Sequence, residues 1–314
     1  MRAVGVEAVA QAEEVSVMGV VEVLAKLWTL LGVRRRVRAA LAEGADLLVV
    51  VDAPDFNLPL ARKARSLGIP VVFYVSPQVW AWRRGRAVEI ASLARDVLCL
   101  FPFEPPAYTN HGGTATFVGH PVAERLGPGA KKGTHFAVLP GSRRSEVARH
   151  GPPFRAAVAA LRAAEPEAEI RMPLAPGLMR EEVGEWPGVT ITPDLEFALA
   201  GARSALVASG TATLEAACLG VPHVVAWRGH PLTYWIGRLL VRHVRWIGLP
   251  NLVSGRQVVP EFIQHLKGAE LAAAWRAAAE DGDQPEALAA VRTALAGPGA
   301  VKRAADRVIL ALGR

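Results

Sequence analysis

Cysteine is almost missing from this 314-residue chain, which has only Cys99 and Cys218. Two lone cysteines cannot build a zinc site, and both sit in apolar runs, the setting of buried free thiols. No His, Asp or Glu cluster stands at metal-ligand spacing, so no metal and no cofactor is expected. Uncharged apolar runs are short as well. None reaches the roughly 18 residues that a bilayer-spanning helix needs. Glu7, Glu13 and Glu14 break up any secretory signal core near the N-terminus, which points to a cytoplasmic location, with or without membrane contact. Zinc-finger, RNP and helix-turn-helix signatures are lacking, which ranks nucleic acid last among partners. No internal repeat or low-complexity block interrupts the chain.

What is present reads as a globular protein of two ordinary domains. Hydrophobic residues make up 51% and charged residues 21%, with a net charge of +7. That excess favours anionic partners, whether a phosphorylated substrate or an anionic membrane face.

Strand-like and helix-like stretches alternate, the rhythm of an α/β chain with parallel sheets. Strands are expected at residues 46–51, 70–74, 96–100 and 115–118, with helices near 58–67 and 86–94 between them. Residues 119–134 hold two prolines, four glycines and two lysines and read as a linker. Beyond it, strands are expected at 135–139, 169–173, 189–192, 205–208 and 223–227. A long helix to about 164, a helix at 211–219 and a mostly helical tail complete the pattern. The expected domains are 1–125 and 126–314. Two such halves put a cleft between them, and ligands of open α/β sheets sit at the carboxyl ends of strands.

Chemistry-bearing residues do follow strands. Asp52 and Asp55 flank Pro54 in DAPDFN; a carboxylate there can act as a general base toward a sugar hydroxyl, while Asp55 can equally cap the next helix. Ser76, Trp80 and Arg83 stand in YVSPQVWAWR, near Arg84 and Arg86. Aromatics and arginines together suit a sugar phosphate or lipid phosphate, or else form a packed Trp pair beside a solvated basic helix start. Gly141, Ser142 and Arg143 form a small-residue turn between strand and helix, which aims backbone N–H groups at an anion. It lacks the ending of a nucleoside triphosphatase loop. Ser209, Gly210 and Thr211 repeat that arrangement, and Glu215 falls one turn into the next helix, where a carboxylate can take ribose hydroxyls. A capping box is the bland alternative, but two such turns in one domain favour a nucleotide diphosphate. Residues 15–31, mostly apolar with Trp28 and followed by Arg34, Arg35, Arg36 and Arg38, fit either a membrane-interface segment or an amphipathic helix packed on a sheet.

Seven motifs, in order, resemble lipid-A-disaccharide synthases: DAPDFN (52–57), YVSPQVWAWR (74–83), LFPFE (100–104), FVGHP (117–121), LPGSRRSE (139–146), SGTATLE (209–215) and LPNL (249–252). VMGVVEVL at 17–24 matches too, so the resemblance covers nearly the whole chain. It implies a GT-B architecture, two Rossmann-like domains facing a central cleft. It also implies an inverting, metal-independent glycosyltransferase, which joins UDP-2,3-diacylglucosamine to 2,3-diacylglucosamine 1-phosphate (lipid X) and releases UDP and the β-1,6 disaccharide precursor of lipid A. On that reading Asp55 is the base, the two turns hold the diphosphate, Glu215 holds the ribose, and Asn251 of LPNL faces the cleft. The resemblance further implies peripheral association with the inner membrane and a homo-oligomer. Family members usually begin with a strand and a GExSGD turn. That motif is not in this sequence, so the first βα unit of the N-terminal domain is expected to be missing. A UDP-binding relative without catalysis and another UDP-N-acetylglucosamine-using GT-B enzyme are the alternatives.

Overall fold

The computed structural model describes residues 5, 7–9, 27–81, 85–127, 133–230, 234 and 244–313. The chain divides into two compact units. One combines Met1–Val118 with Val301–Arg314, and the other is Gly119–Ala300.

In the first unit, α1 (Leu27–Glu43) leads into four parallel strands: β1 (Leu48–Val51), β2 (Val71–Tyr74), β3 (Asp96–Cys99) and β4 (Ala115–Phe117). They lie in the order β1-β2-β3-β4. Helices α2 (Pro54–Ser66), α3 (Gly85–Leu93) and the short α4 (Pro106–Thr109) alternate with them. The near-continuous apolar strand runs follow from burial on both faces. Alternation along each strand sorts the side chains. Val71, Phe73, Val97 and Cys99 join Leu41, Leu58, Ala61 and Ile90 of α1 to α3 on one face. Val72 and Leu98 pack on the other face against Ala304 and Ala311.

Those two alanines belong to the last helix, α13 (Ala300–Leu312), and here the structure corrects the sequence-drawn domains. The boundary falls at 118/119 rather than 125/126, and residues 301–314 return to the first unit. The physical reason is an apolar stripe closed by charge. Arg307 Nε donates to Asp96 Oδ2 at 2.7 Å, Arg303 Nε donates to the Val118 carbonyl at 2.8 Å, and Thr116 also donates to Asp96. Asp96 is only 2% exposed, so this pairing is what makes its burial tolerable.

The second unit opens with α5 (Pro121–Arg125), capped by the His120 ring, which accepts from Val122 N. Its six-stranded parallel sheet runs β10-β9-β8-β5-β6-β7. The strands are β5 (Phe136–Leu139), β6 (Ile170–Pro173), β7 (Thr190–Thr192), β8 (Ser204–Ala208), β9 (His223–Trp227) and β10 (Glu261–Ile263). Between them run α6 (Arg144–Ala164), α7 (Arg180–Val183), α8 (Leu195–Leu199), α9 (Thr211–Cys218) and α10 (Leu249–Ser254), followed by α11 (Gly268–Glu280) and α12 (Gln284–Ala294). Phe154 and Leu161 of α6 and Leu271 and Trp275 of α11 cover one face of this sheet. Cys99 and Cys218 are both buried free thiols. Among the described residues no helix is long and apolar enough to cross a membrane.

Candidate functional site

The carboxyl ends of β1, β2 and β3 surround a cavity of about 260 Å³ in the first unit. Asp52 lines it, immediately after β1, with Asp52 and Ala53 both at positive φ (46° and 41°). Non-glycine residues hold that conformation at a cost, and here the surroundings impose it. Asn57 Nδ2 donates to the carbonyls of Val51 (3.1 Å) and Asp52 (2.7 Å), pinning the turn, and Pro54 starts α2 with its φ already helical.

Asp55 stands apart from the cavity wall. Its side chain is 72% exposed and paired with Arg86, while Arg34 donates to its carbonyl at 3.3 Å. The capping alternative is not what α2 shows, because Ala53 is the cap and no side chain bonds there.

Ser76, Gln78, Trp80, Arg86 and Glu104 complete the polar lining, between apolar Val75, Val79, Leu100 and Phe101. Ser76 is buried and shares a hydrogen with the Tyr108 hydroxyl at 2.9 Å. Trp80 meets Phe103 edge-on, with centroids 5.0 Å apart, and Phe103 stacks on Phe101. Glu104 is almost wholly buried, and Oε2 accepts from Leu100 N and Phe101 N, both at 3.0 Å. Burial pushes its carboxyl up to about 7 against those hydrogen bonds. Arg83, expected here, lies outside the described residues, as do residues 15–26 of the expected membrane segment.

In the second unit the two small-residue turns stand side by side. Leu139 pairs with Val207 in the β5–β8 ladder, so the 140–143 and 209–211 turns leave the same sheet end from neighbouring strands. Gly141 has φ 132°, and a Cβ there would fall 2.6 Å from Glu146 Cβ, so the turn needs glycine. Glu146 reaches back from the first turn of α6. It accepts from Ser142 N at 2.9 Å and from Arg143 Nη1 at 2.5 Å. Ser142 and Arg143 therefore already face a carboxylate, the arrangement of a local cap.

The neighbouring turn differs. Gly210 is the N-cap of α9 and no side chain caps it, which leaves an exposed positive helix end at Thr211. Ser209 Oγ donates to the Ile247 carbonyl at 3.1 Å. Glu215, half-buried one turn on, is paired with Arg125 of α5. Burial raises its carboxyl above the ordinary range, and Arg125 opposes that shift.

Asn251 departs from expectation. It is fully buried, Oδ1 accepting from Val258 N and Val259 N, and Nδ2 donating to the Val259 carbonyl and to Glu261 Oε1 at 2.7 Å. Glu261 in turn accepts from Ile247 N and Gly248 N. Asn251 is thus a brace two steps behind Ser209 rather than a surface contact.

Sequence reasoning missed further braces. His150 of α6 bonds the Pro140 carbonyl through Nδ1 (2.9 Å) and accepts from Arg228 N at Nε2 (3.1 Å). It therefore ties the loops after β5 and β9, which flank β8. Burial holds its pKa below the usual histidine range. A lone His in a helix carries no sequence signal of that bridge. Glu104 and Glu146 did lie inside recognised motifs, LFPFE and LPGSRRSE.

Against known proteins, the family model for lipid-A-disaccharide synthetase matches residues 1–293. A lipid-A-disaccharide synthase of Anaeromyxobacter dehalogenans (strain 2CP-C) is 41% identical over 335 aligned positions, spanning 98% of this chain and 87% of that protein. One from Myxococcus xanthus (strain DK1622) is 39% identical with the same coverages. Among solved structures, the calicheamicin glycosyltransferase CalG4 superposes with a TM-score of 0.60 at 20% identity, covering 92% of this chain and 81% of that one. At that identity the likeness speaks for fold alone, and it is the GT-B fold.

Proposed function

This chain belongs to the lipid-A-disaccharide synthetase family and is a glycosyltransferase; from that premise we propose that it transfers 2,3-diacylglucosamine from UDP to lipid X, by inversion and without a metal. The observation that carries the nucleotide half is the pair of turns on neighbouring strands β5 and β8, one of them opening an uncapped helix. Helix N-termini and free N–H groups favour a diphosphate. Arg143 adds a guanidinium, released from Glu146 when phosphate competes for it. Glu215 takes the ribose hydroxyls, a role in which Arg125 gives up its ion pair.

The acceptor half rests on the cavity of the first unit. Trp80 supplies a flat apolar face for a sugar ring, and Ser76 and Asp52 supply polar groups. The acceptor 6-hydroxyl loses its proton to a carboxylate as its oxygen attacks the donor anomeric carbon. The bond to UDP breaks on the opposite face, and the negative charge that gathers on UDP meets the N–H groups of the two turns and Arg143. Sequence reasoning favoured Asp55 as the base. We assign that part to Asp52 instead, because Asp52 lines the cavity, whereas Asp55 is held by Arg86 outside its wall.

The test is UDP release with paired substrates. Turnover with UDP-2,3-diacylglucosamine and lipid X, but not with UDP-N-acetylglucosamine, supports the reading. Equal use of the non-acylated donor would move the chain to another sugar-transfer reaction, and UDP binding without release would mark a non-catalytic relative.

A further inference from the structure

The loop at 228–229, after β9, stands beside the two turns that the proposed reaction uses and has no task in it. We propose that this loop is a third wall of the donor site, with Arg228 its contact to the diphosphate and His150 the residue that positions it. This rests on the reading that the turns at 140–143 and 209–211 hold the diphosphate of UDP.

Sheet order puts the loop there. β8 lies between β5 and β9, so the turn at 209–211 is flanked by the turn at 140–143 on one side and by the loop at 228–229 on the other. Ser209 N donates to the Ala226 carbonyl at 3.0 Å, so β9 still runs alongside the chain where the middle turn begins. Neighbouring strands lie roughly 5 Å apart, a span that an arginine side chain crosses. Arg228 is exposed. Arg143 and Arg125 are held by Glu146 and Glu215, whereas among the described residues no carboxylate pairs with Arg228.

A surface arginine is by itself a solvated charge; what sets this one apart is how its backbone is held. His150 Nε2 accepts from Arg228 N at 3.1 Å, which leaves the proton on Nδ1, and Nδ1 donates to the Pro140 carbonyl at 2.9 Å. One buried ring thus joins the loop to the residue before Gly141. Gln264, just past β10, brackets the next residue: Oε1 accepts from Gly229 N at 3.0 Å and Nε2 donates to the Gly229 carbonyl at 3.2 Å. Gln264 does this at a φ of 68°, which a non-glycine residue adopts only under constraint. Gly229 has no room for a side chain, because a Cβ would fall 2.4 Å from the Trp227 indole. Three backbone groups of two residues are therefore taken by side chains from two other elements. A cation presented on such a loop is already in place when the diphosphate arrives.

His150 does this work only as a neutral ring, since a second proton would turn Nε2 into a donor facing the Arg228 N–H. Burial lowers its pKa, and Arg149 of α6 and Arg228 act in the same direction, while the Pro140 carbonyl and Glu146 of α6 oppose them.

The experiment measures UDP affinity by calorimetry and both KM values on the full chain, for wild type, Arg228→Ala, His150→Asn and the double variant. Arg228→Ala should weaken UDP about tenfold or more, the worth of one charge-assisted hydrogen bond, and leave inhibition by uridine unchanged. The amide of His150→Asn takes the place of Nδ1 and keeps the Pro140 bond, but frees Arg228 N. It should raise the donor KM severalfold, with the acceptor KM and the thermal midpoint near those of wild type. The two losses should not add in the double variant, because His150 acts through Arg228. Below the usual histidine range, wild-type affinity should fall towards that of His150→Asn, the ionisation of UDP itself acting on both alike. Additive losses, parallel pH curves, or a His150→Asn loss shared by kcat, both KM values and the thermal midpoint would overturn the proposal. So would full UDP affinity in Arg228→Ala, or an equal loss of uridine; that variant trims an exposed side chain, so it decides the matter even if His150→Asn fails to fold. A wild type that binds no UDP refutes the reading of the two turns and this proposal with it, whereas Arg228→Ala at full affinity refutes this proposal alone.

Discussion

Asp52 and Asp55 are three residues apart and chemically identical, yet their surroundings differ, Asp52 lining the cavity and Asp55 pairing with Arg86. Asp52→Asn should lower kcat by about 10²- to 10⁴-fold, the usual share of a general base, and leave UDP affinity unchanged by equilibrium binding. Asp55→Asn should act mainly through Arg86 and cost far less. Equal losses from both would return the base assignment to an open choice. Glu104 makes a second residue-scale prediction. Its carboxyl is raised from 4.5 to about 7 by burial, so between those values the folded chain keeps a proton that the unfolded chain has released. The stability this group contributes is complete below about pH 4.5 and is lost as pH rises through about 7, a swing on the order of 3 kcal/mol at most. Urea unfolding of wild type should show that slope, and Glu104→Gln should flatten it.

At the scale of elements, two connections decide whether the sites exist at all. The turn between β5 and α6 depends on Gly141. Gly141→Ala places a methyl against Glu146 at positive φ, a strain on the order of 1–3 kcal/mol. It should weaken UDP binding, read by calorimetry, while leaving the acceptor KM alone. In the first unit, α13 is held by its apolar stripe and by Arg307 on Asp96. Arg307→Ala leaves a buried carboxylate with only Thr116, a loss on the order of 3 kcal/mol. The thermal midpoint should fall clearly, and more than for Lys302→Ala, which breaks an exposed pair on the same helix.

For the whole molecule, the positive excess and the exposed end of α1 make the proposed membrane association testable. Trp28 is 83% exposed and Leu31 is exposed beside Arg35 and Arg36. Sedimentation with anionic vesicles should capture the chain at low salt and release it as salt rises, and Trp28→Ala should weaken capture. Neutral vesicles binding as well would remove the electrostatic part of that argument. The proposed metal-free chemistry is checked by turnover that survives a chelator.

The linear chain already carried the two α/β halves and, through its motifs, the family resemblance that implied the GT-B fold. Apolar runs of four to five residues spaced by helical stretches dictate buried parallel strands, and the strand-turn-helix motifs are legible as local patterns. Those features depend on neighbours in sequence, so they can be read without coordinates. What tertiary structure decided were the partnerships between distant residues. Asp55 went to Arg86, Asn251 to the loop at 258–261, Glu215 to Arg125, and the last helix back to the first sheet. Apart from the Asn251 contacts, which bridge 7 to 10 positions, each is a contact across tens to hundreds of positions, fixed by which strands lie side by side and which charges must be paired once buried. No spacing rule along the chain encodes that order; only the packed sheets do.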